Sequence, residues 1–409
     1  MQQSYVPPDK VLEKYADLIV RFGLQTRDGK TLKKGAVVQY VVPEVAKPLY
    51  FHLQRAILRA GYNPLGVFLP SNTEEYNFDK SFFDLATAAQ IDFFAEHFNR
   101  GLIDQIDGSI FIIADTNPHS LLEVDPKKVL RRSLASRQGK DWRFQKINAG
   151  KLCWTLALYG TDAAAKEAGM TLKQFWNQII NACYLNEDNP VQVWKQLNNS
   201  VQKTAAKLTA LQIKSLHFSG KDLDLEIGIG KNRQWRAGGG NNIPSYEIFT
   251  TPNSFEVNGW ARFNQPHYRY GKKIEGIELW FKDGVVIKSD ATKNHELLKA
   301  MLKTPGGNRL GEVSLTDAKH SRITKFMAET LYDENIGGKF GNTHIALGSA
   351  YRDCFLGKTN AETDEEWETL GFNNSVVHSD IISTTDRTVT ATLYDGSQKI
   401  IYQKGSFVI

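Results

Sequence analysis

The stretch from Asp333 to Asp380 gathers several side chains that can bind a divalent metal ion. In chain order they are a carboxylate, an imidazole, a phenol, a second imidazole and a second carboxylate: Glu334, His344, Tyr351, His378 and Asp380. Imidazole and carboxylate ligands together suit zinc, manganese or cobalt, whereas sites built only from oxygen favour magnesium or calcium. The residue types in this stretch therefore predict a site for zinc, cobalt or manganese.

His378 and Asp380 are expected to lie on one face of a strand. They belong to VVHSDIIS, an apolar and β-branched run typical of a buried strand. Residues two apart in a strand point to the same side, so both side chains would enter one cavity. A histidine beside an apolar run is more often an ordinary core or surface residue, so the prediction depends on further acids nearby.

Two further acids precede this stretch. Glu247 stands in NNIPSYEIFTTPN and Glu312 in RLGEVSLTD, and each is followed by an extended segment. A charged carboxylate that enters a buried strand costs several kcal/mol unless it is paired or coordinates a cation. A bound metal would remove that cost.

Five blocks of this chain, taken in order, resemble the aminopeptidase T / aminopeptidase S family of metal-dependent exopeptidases. The blocks are NNIPSYEIFT, RLGEVSL, YDEN, THIALGSAY and NNSVVHSD. The resemblance covers most of the chain, and five blocks in order are far more specific than any one of them. The seven-residue step from His344 to Tyr351 and the His-x-Asp step also match the family pattern.

The resemblance implies a full set of site residues. The family's metal ligands fall on Glu247, Glu312, Glu334, His344, His378 and Asp380. Its active-site tyrosine falls on Tyr351. Two features depart from the family: Tyr246 replaces an acid, and the loop NIGGKFGNT between Glu334 and His344 is longer than usual. The position of Glu334 therefore depends on how that loop folds.

The function implied is removal of N-terminal amino acids from peptides that carry a free N-terminus. Two divalent metals would activate a water molecule, Glu312 would bridge them, and Tyr351 would stabilise the tetrahedral intermediate. The family also implies a homodimer. Two alternatives remain open at this stage: a dinuclear amidohydrolase acting on another substrate, and an inactive peptidase-like binding protein.

Composition and charge exclude several other classes. A chain of 409 residues exceeds what one core normally serves, and its 41% hydrophobic and 23% charged residues are ordinary for a globular protein. The net charge of +5 is spread along the sequence instead of forming the basic stripe of a nucleic-acid-binding protein. Neither a signal-peptide pattern nor an apolar run of membrane-spanning length is present, which predicts a cytoplasmic protein without membrane partners.

The pattern of elements predicts an α/β fold with two domains. Strands such as GAVVQYVVPEV and NPLGVFLPS alternate with helices in residues 1–210, which indicates an N-terminal α/β domain with a mainly parallel sheet. From residue 211 to 409, short strands and two Asp-Gly hairpin turns dominate, at Asp283 and Asp395. These residues are expected to form a C-terminal mixed α+β domain that carries the dinuclear metal site.

Overall fold

The protein divides into two compact units in the computed structural model, which describes residues 3–25, 29–269 and 272–409. The first unit takes its described residues from Met1–Lys195, Gly239–Pro244 and Lys272. The second comprises Gln196–Gly238, Ser245–Arg269 and Lys273–Ile409.

The helices concentrate in the first half of the chain, where they alternate with strands. The α-helices are α1 Asp9–Leu18, α2 Lys47–Arg59, α3 Phe78–Leu85, α4 Ala88–Asp92, α5 Glu96–Gln105, α6 Pro126–Ala135, α7 Arg137–Asn148, α8 Asp162–Glu167, α9 Leu172–Ala182, α10 Pro190–Ala210, α11 His295–Leu302, α12 Thr330–Asp333 and α13 Asp364–Thr369. A π-helical turn, Ile19–Gly23, continues α1, and two 3₁₀ turns cover Glu44–Ala46 and Arg352–Cys354.

The strands concentrate in the second half. They are β1 Val37–Pro43, β2 Asn63–Leu69, β3 Gly108–Ile113, β4 Cys153–Leu158, β5 Ile213–Gly220, β6 Leu223–Gly228, β7 Arg236–Ala237, β8 Asn242–Ile243, β9 Glu247–Thr250, β10 Val257–Phe263, β11 His267–Arg269, β12 Lys272–Ile274, β13 Ile277–Lys282, β14 Val285–Asp290, β15 Leu310–Thr316, β16 Asn342–Gly348, β17 His378–Ser383, β18 Thr388–Leu393, β19 Gln398–Gln403 and β20 Ser406–Phe407.

The first unit is built on a parallel sheet. Its strand order is β2-β1-β3-β4-β8, and every pairing in it is parallel. The inner strands β1 and β3 are nearly continuous runs of buried residues, as expected for parallel strands covered on both faces. The parallel β1–β2 pair joined by α2 confirms the strand-helix-strand arrangement predicted from the sequence.

Among the described residues, the second unit is built mainly on two antiparallel sheets, and β11 forms a further two-stranded sheet with β12. The larger has the order β14-β13-β10-β6-β5-β18-β19-β20, and the smaller has the order β17-β16-β15-β9-β7. The predicted hairpin at Asp283 is present between β13 and β14, with positive φ at Asp283 and Gly284 as a type I′ turn requires. Buried side chains of both sheets form one hydrophobic core, to which Leu225, Leu279 and Val313 belong.

The predicted α/β fold class is confirmed, with a parallel sheet in the first unit and mixed structure in the second. The two units divide inside α10, between Lys195 and Gln196. The boundary near residue 210 falls at the C-terminal end of the same helix and stays a prediction about functional domains. Across the described ranges, no helix combines the length and apolar character that crossing a membrane requires.

Candidate metal centre

The smaller sheet of the second unit, β17-β16-β15-β9-β7, places core residues on one face and polar residues on the other. One face contributes apolar side chains to the hydrophobic core, at positions Ile248, Val313, Ile345 and Ile381. The adjacent positions in the same four strands carry Glu247 in β9, Glu312 in β15, His344 in β16 and Asp380 in β17. Because side chains alternate between faces, the four strands place these groups on the face opposite the core.

A β-bulge in β15 aims Glu312 at this face. Leu310 belongs to the hydrophobic core, yet it has the same parity as Glu312. The pairing with β16 shifts between these two residues, and the extra residue is Gly311. A Cβ atom on Gly311 would lie 2.2 Å from the carbonyl oxygen of Ser349, so the bulge needs a glycine.

Small residues leave room between the functional side chains. Ala346 in β16 pairs with Glu312 on one side and with Asp380 on the other, so its methyl group separates two carboxylates. Gly348 in β16 pairs with His378 in β17, so no side chain stands beside the imidazole at that position. These residues open a space in the middle of the sheet that larger side chains would fill.

The carboxylates and imidazoles in this space approach each other closely. Nε2 of His344 lies 3.5 Å from Oε1 of Glu312 and 3.5 Å from Oε2 of Glu247. Nε2 of His378 lies 3.2 Å from Oε2 of Glu312 and 3.3 Å from Oδ1 of Asp380. Glu312 therefore faces one imidazole with each of its two oxygens.

Three overlapping groups of side chains have the geometry to hold a metal ion, since their ligand atoms lie within 4.8 Å of one another. The groups are Glu247–Glu312–His344, Glu312–His378–Asp380 and Glu334–His344–Asp380. Together they contain all six residues that the resemblance predicts as ligands. The structure brings these residues together, and their roles as ligands stay predictions.

The orientation of His378 fits a metal-binding imidazole. Its Nδ1 lies 2.8 Å from the carbonyl oxygen of Ser349, so Nδ1 donates and the neutral ring presents the lone pair of Nε2 to Glu312 and Asp380. A lone pair facing two carboxylates is unfavourable unless a proton or a cation lies between them. Imidazoles that bind metals commonly have their second nitrogen fixed in this way.

The electrostatics of the cluster also fit a cation. Burial, reinforced by Glu312, raises the pKa of Glu247 to about 7. Burial and the neighbouring Glu247 raise the pKa of Glu334 well above its usual value. Burial opposes protonation of His344, but Glu312 outweighs it and raises the pKa of His344 to about 9. Without a metal, protons must neutralise the excess of carboxylates, and a divalent cation can replace them.

The long loop after Glu334 is held by hydrogen bonds to neighbouring segments. The backbone N–H of Gly337 donates to the carbonyl oxygen of Ile323 at 3.0 Å. The side-chain amide of Asn342 donates to the backbone carbonyl oxygen of Asp333 at 2.9 Å. The hydroxyl of Tyr402 lies 3.1 Å from the carbonyl oxygen of Phe340. These contacts leave Glu334 buried within reach of His344 and Asp380, so the loop does not remove Glu334 from the cluster.

Tyr351 lies against the same cluster. Its ring packs edge-on against His378, with ring centroids 5.1 Å apart, and against Phe249 at 5.4 Å. Burial, with the negative charge of Glu312, raises its pKa well above the usual value, so the phenol keeps its proton at neutral pH. Thr251 fixes the backbone, since its hydroxyl accepts from the N–H of Tyr351 and donates to the carbonyl oxygen, both at 3.1 Å.

Sequence reasoning did not identify the residues that hold the carboxylates in place. The hydroxyl of Ser245 donates to Oε1 of Glu247 at 3.2 Å. The side-chain amide of Asn335 contacts Oε1 of Glu334 at 3.4 Å, while its oxygen accepts from the backbone N–H of Tyr246 at 2.6 Å. Both residues stand within two positions of a predicted ligand in the quoted blocks, which is the only signal the sequence offers for them.

Gly238 shows how tightly the chain approaches Glu247. A Cβ atom at this position would lie 1.9 Å from Oγ of Ser245 and 2.9 Å from Oε1 of Glu247. The first glycine of the Gly238-Gly239-Gly240 run is therefore explained by close packing against a site carboxylate.

We expect the metal-free protein to lose stability as the pH rises from 5 to 9. The pKa of Glu247 is about 7 in the folded protein and near 4.5 when unfolded, so its contribution is present below pH 4.5 and lost by pH 7. The contribution of His344 is present below pH 6.5 and lost as the pH rises through about 9. Each pKa unit corresponds to about 1.4 kcal/mol.

Chemical denaturation of the chelated protein at several pH values measures this effect. The matched control is Glu247→Gln, which should flatten the part of the profile between pH 4.5 and 7. A free energy of unfolding that does not fall between pH 5 and 9 in the chelated protein would contradict the prediction.

The sequence is similar to known proteins along almost its whole length. The model of a family described as thermophilic metalloprotease (M29) matches residues 8–407, almost the whole sequence. The chain belongs to the M29 family. This finding confirms the resemblance found in the five sequence blocks, and it identifies the protein as a member of a metalloprotease family whose members need divalent metals.

Relatives in the M29 family extend over the full chain. Aminopeptidase 2 of Geobacillus stearothermophilus is 28% identical and covers 98% of each chain. Aminopeptidase T of Thermus aquaticus is 26% identical and covers 97% of this chain and 98% of its own. The solved structure of wild-type AmpT from Thermus thermophilus superimposes with a TM-score of 0.82 at 25% identity, covering 98% of this chain and 99% of that chain.

Proposed function

We propose that the protein is a metal-dependent aminopeptidase that releases N-terminal amino acids from peptides with the help of two divalent cations. The observation that carries the proposal is a cluster of six carboxylate and imidazole side chains, five from the sheet and Glu334 from the end of α12, which form three overlapping groups that could hold a metal ion. Membership of the M29 family and the full-length similarity to proteins named aminopeptidases support the same reaction.

The ligands divide naturally between two cations. Glu247 and His344 would hold one of them, and His378 and Asp380 the other. Glu312 belongs to a group with each pair and directs one oxygen to each imidazole, which supports a bridging role. Glu334 lies within reach of His344 and Asp380 and would complete one coordination shell. Mixed imidazole and carboxylate ligands favour zinc, cobalt or manganese.

The chain's own groups prepare the site for attack on a peptide bond. When bound, divalent cations polarise a carbonyl group and lower the pKa of a water molecule. The protonated phenol of Tyr351, fixed by Thr251 and packed against His378, would donate a hydrogen bond to the developing oxyanion. Ser349 holds the ring of His378 through its carbonyl oxygen, so Nε2 stays directed at the carboxylates.

Chelation and metal add-back test the proposal. We expect that exhaustively chelated protein does not hydrolyse aminoacyl chromogenic substrates and that zinc, cobalt or manganese restores hydrolysis, because four carboxylates and two imidazoles lie close enough together to hold these ions. The matched control is magnesium, which prefers all-oxygen sites and should restore less hydrolytic activity. Full activity of metal-free protein would overturn the proposed function.

We also propose that the enzyme works as a cytoplasmic homodimer, with residues 1–210 and 211–409 as its functional domains. The first unit leaves large apolar side chains of α3, α5 and the turn after α4 in contact with solvent: Leu85 is 80% exposed, Phe98 72% and Phe93 66%. Apolar surface of this kind supports association between subunits. Light scattering of the purified protein tests the proposal, and a monomer at micromolar concentration would contradict it.

A further inference from the structure

Arg233 carries a guanidinium group that binds backbone groups from several segments of the second unit. The residue is almost fully buried and lies between β6 and β7. Its Nε donates to the carbonyl oxygen of Thr251 at 3.0 Å. The two terminal nitrogens donate to the carbonyl oxygens of Lys231 at 2.9 Å and Leu370 at 2.6 Å. The guanidinium therefore ties its own segment to two others that are distant in the sequence.

The surroundings of the guanidinium keep it charged and in place. Burial lowers the pKa of Arg233 to about 10, so the group still carries its proton at neutral pH. Its Cζ lies 3.9 Å from the ring centroid of Phe372, where the face of an aromatic ring attracts a cation. Phe372 in turn packs edge-on against Trp367, with ring centroids 5.0 Å apart. Hydrogen bonds from a charged donor are stronger than those from a neutral one, so the three carbonyl groups are held firmly.

Thr251 connects this guanidinium to Tyr351. Its carbonyl oxygen accepts the hydrogen bond from Nε of Arg233. Its hydroxyl accepts from the backbone N–H of Tyr351 and donates to the carbonyl oxygen of Tyr351, both at 3.1 Å. Thr251 is fully buried, so water does not compete for these bonds. One threonine thus joins the arginine to both backbone groups of the tyrosine.

The segment that carries Arg233 also holds the chain just after Tyr351. Arg233 and Phe355 form an isolated antiparallel β-bridge. The backbone N–H of Gln234 donates to the carbonyl oxygen of Cys354 at 2.9 Å, and its side-chain amide donates to that of Asp353 at 2.8 Å. The backbone around Tyr351 is therefore fixed at the residue itself and in the turn that follows it.

We propose that Arg233 is a positioning residue that holds Tyr351, through Thr251, in the orientation from which its phenol stabilises the tetrahedral intermediate. The inference rests on the proposed function, because it assigns a supporting residue to the proposed oxyanion donor. Arg233 belongs to none of the three candidate metal groups, so its role concerns the phenol and not the cations. A displacement of about 1 Å at a catalytic group can lower the rate by about 10²-fold.

Two substitutions separate the bond to Thr251 from the rest of the arginine side chain. The amide nitrogen of glutamine can occupy the position of Nε, so Arg233→Gln should keep a donor for the Thr251 carbonyl oxygen. Methionine places a methyl group at that position, so Arg233→Met should lose the donor while it fills similar space. The matched control is Arg309→Met, because Arg309 also donates to backbone carbonyl groups and lies over a phenylalanine ring, that of Phe255.

Steady-state kinetics with saturating metal measures the effect on turnover. We expect Arg233→Met to lower kcat by about 10–100-fold with KM and metal content little changed, because an oxyanion donor acts in the transition state. Arg233→Gln and Arg309→Met should stay close to the wild type. An unchanged kcat in Arg233→Met, or equal losses in Arg233→Met and Arg233→Gln, would overturn the inference.

A double substitution distinguishes positioning of the phenol from a general structural role. In a Tyr351→Phe background, Arg233→Met should cause little further loss of kcat, because the hydroxyl that it would misplace is already absent. A loss in this background as large as that in the wild type would show that Arg233 acts on something other than the phenol, and the inference would be wrong.

Fluorine NMR gives a second measurement that does not depend on activity. When a fluorinated tyrosine replaces tyrosine, the resonance that is missing from Tyr351→Phe protein belongs to Tyr351. We expect this resonance to shift in Arg233→Met and to keep its wild-type position in Arg233→Gln and Arg309→Met. An unchanged resonance in Arg233→Met contradicts the inference alone, whereas folded wild-type protein that releases no amino acids contradicts the proposed function alone. If Arg233→Met does not fold, Arg233→Lys replaces it, because lysine has a methylene group at the Nε position and keeps the buried charge.

Discussion

Glu312→Gln is expected to reduce peptide hydrolysis by more than about 10³-fold, the largest loss among single substitutions at the site. The carboxylate of Glu312 is buried, contacts both imidazoles with separate oxygens and belongs to two of the three candidate metal groups. Glutamine keeps the shape but lacks the charge and replaces one acceptor oxygen with a donor. Both proposed cation sites would therefore be weakened at once.

Steady-state kinetics with saturating metal, together with metal analysis of the dialysed protein, measures the effect. Tyr351→Phe is the informative comparison, since the loss of a single oxyanion donor typically costs about 10²–10³ in kcat and should leave metal content unchanged. Glu296→Gln, on an exposed position of α11, is the control for the substitution itself. Glu312→Gln protein that retains two metals and turns over faster than Tyr351→Phe would exclude the bridging role.

Acetylation of the substrate N-terminus is expected to lower kcat/KM by about 10- to 100-fold. A free α-amine is basic and can be held by a cation or by a buried carboxylate, and the site offers carboxylates at Glu247 and Asp380. Acetylation removes the basicity and adds bulk. A hydrogen bond to a charged group contributes about 1.5–3 kcal/mol, and each 1.4 kcal/mol is a factor of ten in rate.

A time course of free amino acids from matched free and acetylated peptides makes this comparison. Sequential release from the free peptide and almost none from the acetylated one is the expected result, and kcat should fall along with affinity because the contact acts at the reacting centre. Equal release from both, or first cuts inside the peptide, would instead favour a dinuclear amidohydrolase acting on another substrate.

Much of the fold followed from local patterns. The run DLATAAQIDFFAEHF has the apolar spacing of one continuous helix, but the structure divides it into parts of α3, α4 and α5. The helix α4 begins at a capping box in which Thr87 and Gln90 exchange hydrogen bonds, and it ends at Asp92 before α5 starts at Glu96. The Thr-x-x-Gln pattern is visible in the sequence, but apolar periodicity obscured it.

The site was less predictable than the fold. Strand alternation correctly predicted that His378 and Asp380 share a face, because their spacing alone determines it. The bulge at Gly311 and the position of Ala346 between two carboxylates could not be predicted in this way, because each depends on strand pairing between distant segments.

The order of the proposed ligands along the chain has a consequence for biogenesis. Residues 247 to 380 contribute to the cluster, and the last two ligands come from β17, an edge strand. A ribosome must therefore finish most of the second unit before His378 and Asp380 can join the carboxylates that were made earlier. Such a late, long-range assembly is a slow step in folding. Cations acquired afterwards would chiefly slow unfolding of the finished enzyme, since contacts absent from the folding transition state act on the unfolding rate.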